Sequence, residues 1–223
     1  MGLFSRLFGR SNEPEWFREV SGNKAFQDVS KLIHRILEDE EFQLDFVHPT
    51  IKPLLESAPG YDKDPNGEGP FGFTETNPVP VNGPIGQLSY LSKLETQSGQ
   101  RILFHRLGAI NKVDVFEAVS FNGNEWFILF MDFYHSRRSR LVPQGFRFTK
   151  ELGQFCGFNN FCEKFPYDFE EKKFAMGDSG LRIAYIPSNK VAKQIRDGVF
   201  NRPLAHEVKL ELVKSRLSSF QNQ

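Results

Sequence analysis

Cysteine is scarce in this chain, with two in 223 residues. That excludes a small scaffold stapled by several disulfides. Cys156 and Cys162 are spaced C-x5-C, without the paired cysteines or following paired histidines of a zinc site. No metal and no cofactor are expected. An excess of charge of one sign is also missing, since 28 Lys and Arg balance 28 Asp and Glu. Nucleic acid is therefore not an expected partner. No apolar run reaches about 18 residues, so no transmembrane segment is predicted. There is no Gly-rich phosphate loop with its lysine, and no basic strand interleaved with aromatics.

Phenylalanine is what the chain has in quantity, 24 residues. Phe buries a large apolar area and carries no polar handle. We read a thick aromatic core between a sheet and covering helices. At 39% hydrophobic and 25% charged residues, the composition is that of a globular protein.

The opening MGLFSRLFGR is interrupted by Ser5 and Arg6 and lacks a small-residue cleavage site, so it does not read as a secretory signal. Leu3, Phe4, Leu7 and Phe8 share one helical face. Residues 1–12 thus form a short amphipathic segment suited at most to peripheral membrane contact. A cytoplasmic location is the expectation. Residues 13–223 read as a single α+β domain.

Phe26, Val29, Ile33 and Leu37 recur at helical spacing, with Ser21 or Asn23 as cap, and Pro49 precedes a shorter helix through Leu55. Residues 38–75 hold ten acids and two lysines, a local charge of −8, read as a solvated acidic face. Residues 58–84 are a long Pro/Gly-rich loop, anchored by Phe71 and Phe73. Loops of that length are commonly functional. Asn77-Pro78-Val79-Pro80-Val81 is expected to be extended.

Asn122-Gly123 between two apolar runs predicts a hairpin in which Val119 faces Trp126, Glu117 faces Ile128, Val115 faces Phe130 and Val113 faces Asp132. Both of its faces are apolar, so cover on both sides is expected. A turn at Asn111-Lys112 puts Arg106 opposite Glu117. A turn at Ser98-Gly99 adds a further strand, with Ser92 and Ala118 flanking His105. Leu141–Phe148 completes an antiparallel β-meander over about residues 88–148, covered by N-terminal helices and C-terminal helical or mixed elements. Leu88-Ser89-Tyr90-Leu91 suits helix or strand. Residues 205–220 also suit either, with helix favoured. Further elements are expected at Lys150–Phe155 (helix), Leu181–Ile186 (strand) and Asn189–Val199 (helix).

Candidate chemistry is thin. Cys156, before Gly157, needs a histidine to act as a nucleophile, and nothing places one beside it. Gly177-Asp178-Ser179-Gly180 resembles the serine motif of chymotrypsin-like proteases over four residues. Leu181-Arg182 then depart from it, and a turn explains it. His105, Glu117, Asp132 and His135 are the catalytic candidates, with an Arg106–Glu117 ion pair as the plainer role for Glu117. Asp132 falls four residues from Glu117 along the strand direction, roughly 13 Å, too far for a carboxylate pair. Arg137, Arg138 and Arg140 form a basic turn offering forked donors to phosphate or carboxylate. With Phe71, Phe73, Asn77 and Asn82 they make the candidate binding surface. The expectation is a non-catalytic binding or accessory protein for an acidic or phosphate-bearing partner, protein or small molecule. The alternative is a hydrolase using Arg138, His135 and Asp132 or Glu117.

Overall fold

Val119 pairs with Trp126, Glu117 with Ile128, Val115 with Phe130 and Val113 with Asp132, the register expected from the Asn-Gly signal. The connection is longer than a two-residue turn. Ser120 and Gly123 close a tight turn, Gly123 N–H to Ser120 O at 2.8 Å, and Glu125 O accepts from Ser120 N–H. A four-residue loop centred on Asn122 and Gly123 keeps the same facing pairs. Gly123 supplies the positive φ of 78° that the turn needs.

The computed structural model describes residues 31–32, 34–149, 156–167 and 197–221. The amphipathic segment 1–12, the caps Ser21 and Asn23, the helix at Lys150–Phe155, the Gly177–Gly180 turn, the strand at Leu181–Ile186 and most of the helix at Asn189–Val199 lie outside the described residues. The helices are α1 (Glu40–Leu44), α2 (Lys52–Ser57), α3 (Gly83–Ser92) and α4 (Leu204–Gln221). Residues 34–38 are also helical. The strands are β1 (Val79–Pro80), β2 (Leu94–Thr96), β3 (Ile102–Ile110), β4 (Val113–Ser120), β5 (Trp126–Asp132), β6 (Phe146–Phe148) and β7 (Gly157–Phe158).

This is an α+β fold. The sheet order is β1-β5-β4-β3-β7, with β2 and β6 forming a separate antiparallel pair. The meander narrows to β3, β4 and β5, because β1 joins β5 and β7 joins β3 in parallel. Proline-bearing β1 occupies an edge, where its missing donor costs no ladder bond. The strand ending near Thr96 does not run on into β3. Its partner is β6, with Glu95–Arg101 as a lone bridge. Ser92 consequently leaves the sheet. It ends α3, and its Oγ accepts from Cys156 N–H at 3.2 Å. The ambiguous 88–91 segment is helical because α3 is buried along nearly its whole length. Most of its polar groups find partners, Ser89 Oγ giving to Leu37 O at 2.6 Å and Gln87 Nε2 to Asp114 at 2.6 Å, although Gln87 Oε1 has none.

Both faces of the central strands are covered, as their apolar pattern requires. One face (Phe104, Phe116, Ala118, Leu129, Met131) packs on α3, the N-terminal helical residues and the loop phenylalanines. The other (Val115, Ile128, Phe130) receives Leu210, Val213 and Leu217 of α4. Residues 205–220 are therefore helix, held by that second face.

The β3–β4 register breaks once. Ile110–Val113, Ala109–Asp114 and Gly108–Val115 follow the turn at Asn111, but beyond a bulge at Leu107 the pairs become Arg106–Phe116 and His105–Glu117. One extra residue shifts the strand by one and exchanges its faces. His105, not Arg106, is opposite Glu117. Arg106 turns to the other face and grips Asp114 Oδ1 through Nε and Nη2 at 2.9 and 2.7 Å.

Candidate functional site

The bulge assembles a polar knot inside the sheet-to-α4 layer. Glu117, with only 1% of its side chain exposed, takes four donors. Its Oε2 accepts from His105 Nε2 at 2.9 Å and Arg202 Nη2 at 3.1 Å. Its Oε1 accepts from Arg202 Nε at 2.8 Å and His206 Nε2 at 3.1 Å. Cys162 N–H donates to His105 Nδ1 at 3.0 Å, so that nitrogen is the acceptor and Nε2 carries the proton given to Glu117. Phe165 stacks on the His105 ring at 4.2 Å, and the Arg202 guanidinium lies 5.1 Å from the Trp126 ring centroid. Burial pushes the Glu117 carboxyl up, but its bonds to His105, His206 and Arg202 outweigh that and hold it well below the usual carboxylate range.

With four donors on two oxygens, Glu117 has no lone pair left for a substrate proton. The fully engaged His105 ring has no free nitrogen. The knot fastens the segment before α4 to β3 and β4. Among the described residues no group of three metal-ligating side chains is arranged to hold an ion.

A second carboxylate and histidine meet where β5 ends. His135 Nε2 lies 3.3 Å from Asp132 Oδ2, and His135 Nδ1 donates to Pro59 O at 3.1 Å. Tyr134 N–H donates to Asp132 Oδ1 at 3.0 Å. Burial raises the Asp132 carboxyl, and the bonds from His135 and Tyr134 pull it below its ordinary value. Tyr61 meets the His135 ring edge-on at 4.9 Å. Sequence reading named all four titratable residues, and the structure sorts them into two separate pairs, His105 with Glu117 and His135 with Asp132.

The arginine turn is mainly a clamp. Arg137 bonds Asp62 at 2.6 Å. Arg138 reaches Leu37 O at 2.6 Å, Ser89 Oγ at 2.5 Å, Glu38 at 3.2 Å and Glu40 at 3.3 Å. Arg140 gives its backbone N–H to Asp62 Oδ1 at 2.8 Å, while its side chain is exposed. Asp62 is held low by its bonds to Arg137 and to the Arg140 backbone. Six of the ten acids in 38–75 are neutralised by Arg35, Lys52, Lys93, Arg137, Arg138 and Arg216. The acidic segment is therefore largely an internal counter-charge, and less of a free face than its composition suggests.

The remaining binding candidates also face inward. Phe71 and Phe73 pack against the core. Asn77 Nδ2 donates to Gly69 O at 2.7 Å, and Asn82 Nδ2 donates to Gln43 Oε1 at 2.9 Å. They stitch the loop rather than line its surface. A shallow depression of about 480 Å³, bordered by Arg35, Asp39, Phe42, Asp45, Lys52 and Glu56, touches neither histidine pair.

Arg202 and His206 were missed by sequence reading. They lie 85 and 89 residues from Glu117, and no local spacing signals such a contact. Cys156 and Cys162 are both buried. Among the described residues no helix is long and apolar enough to cross a membrane. The chain matches no family model, no curated protein and no solved structure.

Proposed function

We propose that this is a non-catalytic binding protein whose contact surface is the outer rim of the 58–84 loop together with Arg140, and that it takes an acidic or phosphate-bearing partner. The observation that carries this reading is the loop's construction. An irregular segment of this length is fixed from beneath by buried anchors. Phe130 N–H donates to Gly72 O, Ser139 Oγ to Asp62 O, and Arg137 holds the Asp62 carboxylate. Its outward residues, among them Lys63, Pro65, Asn66 and Glu68, are exposed. A loop so held forfeits little ordering entropy when it binds, and rigidly mounted loops are where recognition residues concentrate.

Lys63 and Arg140 supply the positive charge. They adjoin the Asp62 clamp, whose own charge is taken by Arg137. Arg137 and Arg138 are reassigned to support. Of the residues in the hydrolase alternative, His135 and Asp132 do meet, but Arg138 bonds Leu37, Ser89, Glu38 and Glu40 rather than joining them, which favours the binding reading.

The test is capture from a lysate of the native host with the immobilised protein, comparing wild type with the Lys63→Ala, Arg140→Ala double variant at low and high salt. Specific partners are expected to be lost in the double variant and weakened by salt. An unchanged set of captured molecules in both comparisons refutes the proposal.

A further inference from the structure

Helix α4 uses one face to hold the sheet and shows a second apolar face outward. Leu210, Val213 and Leu217 are buried. On the opposite side Leu204, Val208 and Leu212 are 75%, 56% and 64% exposed. They follow i, i+4, i+8 and form one continuous ridge. A solvated helix face normally carries polar residues at such positions.

We infer that this ridge is a self-association surface, pairing with the same ridge on a second copy of the chain. Charge decides the occupant and its direction. Glu207 borders one side of the ridge and Lys209 the other, about equally far around the helix from Val208. Neither has an ion-pair partner among the described residues, and Glu211 is already matched to Lys214. Both Glu207 and Lys209 are exposed.

A two-fold axis that relates the helices in the parallel sense sets the left border of one ridge against the right border of the other. Glu207 then meets Lys209 of the second copy, twice by symmetry. The antiparallel sense sets Glu207 against Glu207 and Lys209 against Lys209, which repels. Identical i±4 ridges interdigitate at a crossing angle of about −50°. With three large side chains from each copy the contact is small, so the dimer is weak and reversible. It does not rest on the loop reading, because neither Lys63 nor Arg140 belongs to the ridge; the loop meets α4 through Glu75 and Arg216, past the end of the ridge.

Sedimentation equilibrium of the full chain over a concentration series tests this. The apparent mass is expected to rise from 25.7 kDa towards twice that value. Val208→Asp, at an exposed position, is expected to abolish the rise while leaving the circular dichroism spectrum unchanged. Glu207→Lys or Lys209→Glu alone is expected to weaken the dimer by about tenfold, as two like-charge contacts replace two ion pairs. The double exchange Glu207→Lys, Lys209→Glu is expected to restore it. A monomer at every concentration overturns the inference, as does a dimer indifferent to Val208→Asp or a double exchange that fails to restore association.

Discussion

Removing one carboxylate oxygen from Glu117 would turn an acceptor of four bonds into a group that must donate where it used to accept. In Glu117→Gln the new NH2 faces either the Arg202 Nε and His206 pair or the His105 and Arg202 Nη2 pair. The guanidinium also loses its counter-charge. Breaking a buried pair from one side is costly, although the Arg202 side chain is 29% exposed and partly rescued by water. The expected loss is about 3 kcal/mol in urea unfolding; a loss below about 1 kcal/mol would contradict the view of Glu117 as the knot's centre. The arginine turn offers a sharper contrast. Arg138 bonds two backbone or hydroxyl acceptors and two acids, so Arg138→Ala is expected to cost about 2–3 kcal/mol. Arg140 carries no such burden, and Arg140→Ala is expected to stay within about 0.5 kcal/mol. Equal effects from the two would show that the clamp has been misassigned.

The bulge at Leu107 links strand, knot and helix. Gly108, just past it, has a φ of 154°, and a Cβ there would sit 3.1 Å from Leu217 Cδ2 of α4. Gly108→Ala therefore strains the strand and pushes the helix that the knot fastens. An expected loss of about 1–3 kcal/mol should be accompanied by faster hydrogen exchange in α4. Unchanged exchange there would separate the bulge from the helix. The same bulge marks how far the sequence could be read. The β4–β5 register was legible because an Asn-Gly centre and two apolar faces specify it independently. The lower half of β3–β4 was legible from the turn at Asn111. The upper half was not, since an inserted residue leaves no mark in an apolar run, and so Arg106 was set where His105 stands. Edge strands β1 and β7 are two residues each, too short for any periodicity to register. α3 was ambiguous because a helix buried all round has no polar face to give it a period. The candidate histidines and acids were visible as residue types, but Arg202 and His206 join Glu117 only through tertiary packing.

Taken together, the layers are held by carboxylates that span chain distance. Glu117 fastens α4 to the sheet, Asp62 fastens the loop to the arginine turn, and Glu38 joins the N-terminal helical turn to Lys93 and Arg138, while Asp132 acts locally on His135, whose ring reaches Pro59 O of the loop. Each of these acids is raised by burial or lowered by its partners, and for all four the net direction is downward. A carboxyl lowered in the folded state binds fewer protons there than in the unfolded chain. Its stabilising contribution is complete above the unfolded value, about 4.3 for Glu and 3.9 for Asp, and is lost as the pH falls from there towards the folded value. Stability carried by these acids should thus decline on acidification below about pH 5. Glu117 can be isolated by comparing wild type with Glu117→Gln in urea at a series of pH values. The gap between the two should be widest near neutrality and should shrink as the pH falls from about 5 to 3, because the variant has no carboxyl to protonate. A gap that stays constant over that range would mean that the carboxylate contributes through shape and packing, with its charge playing no part.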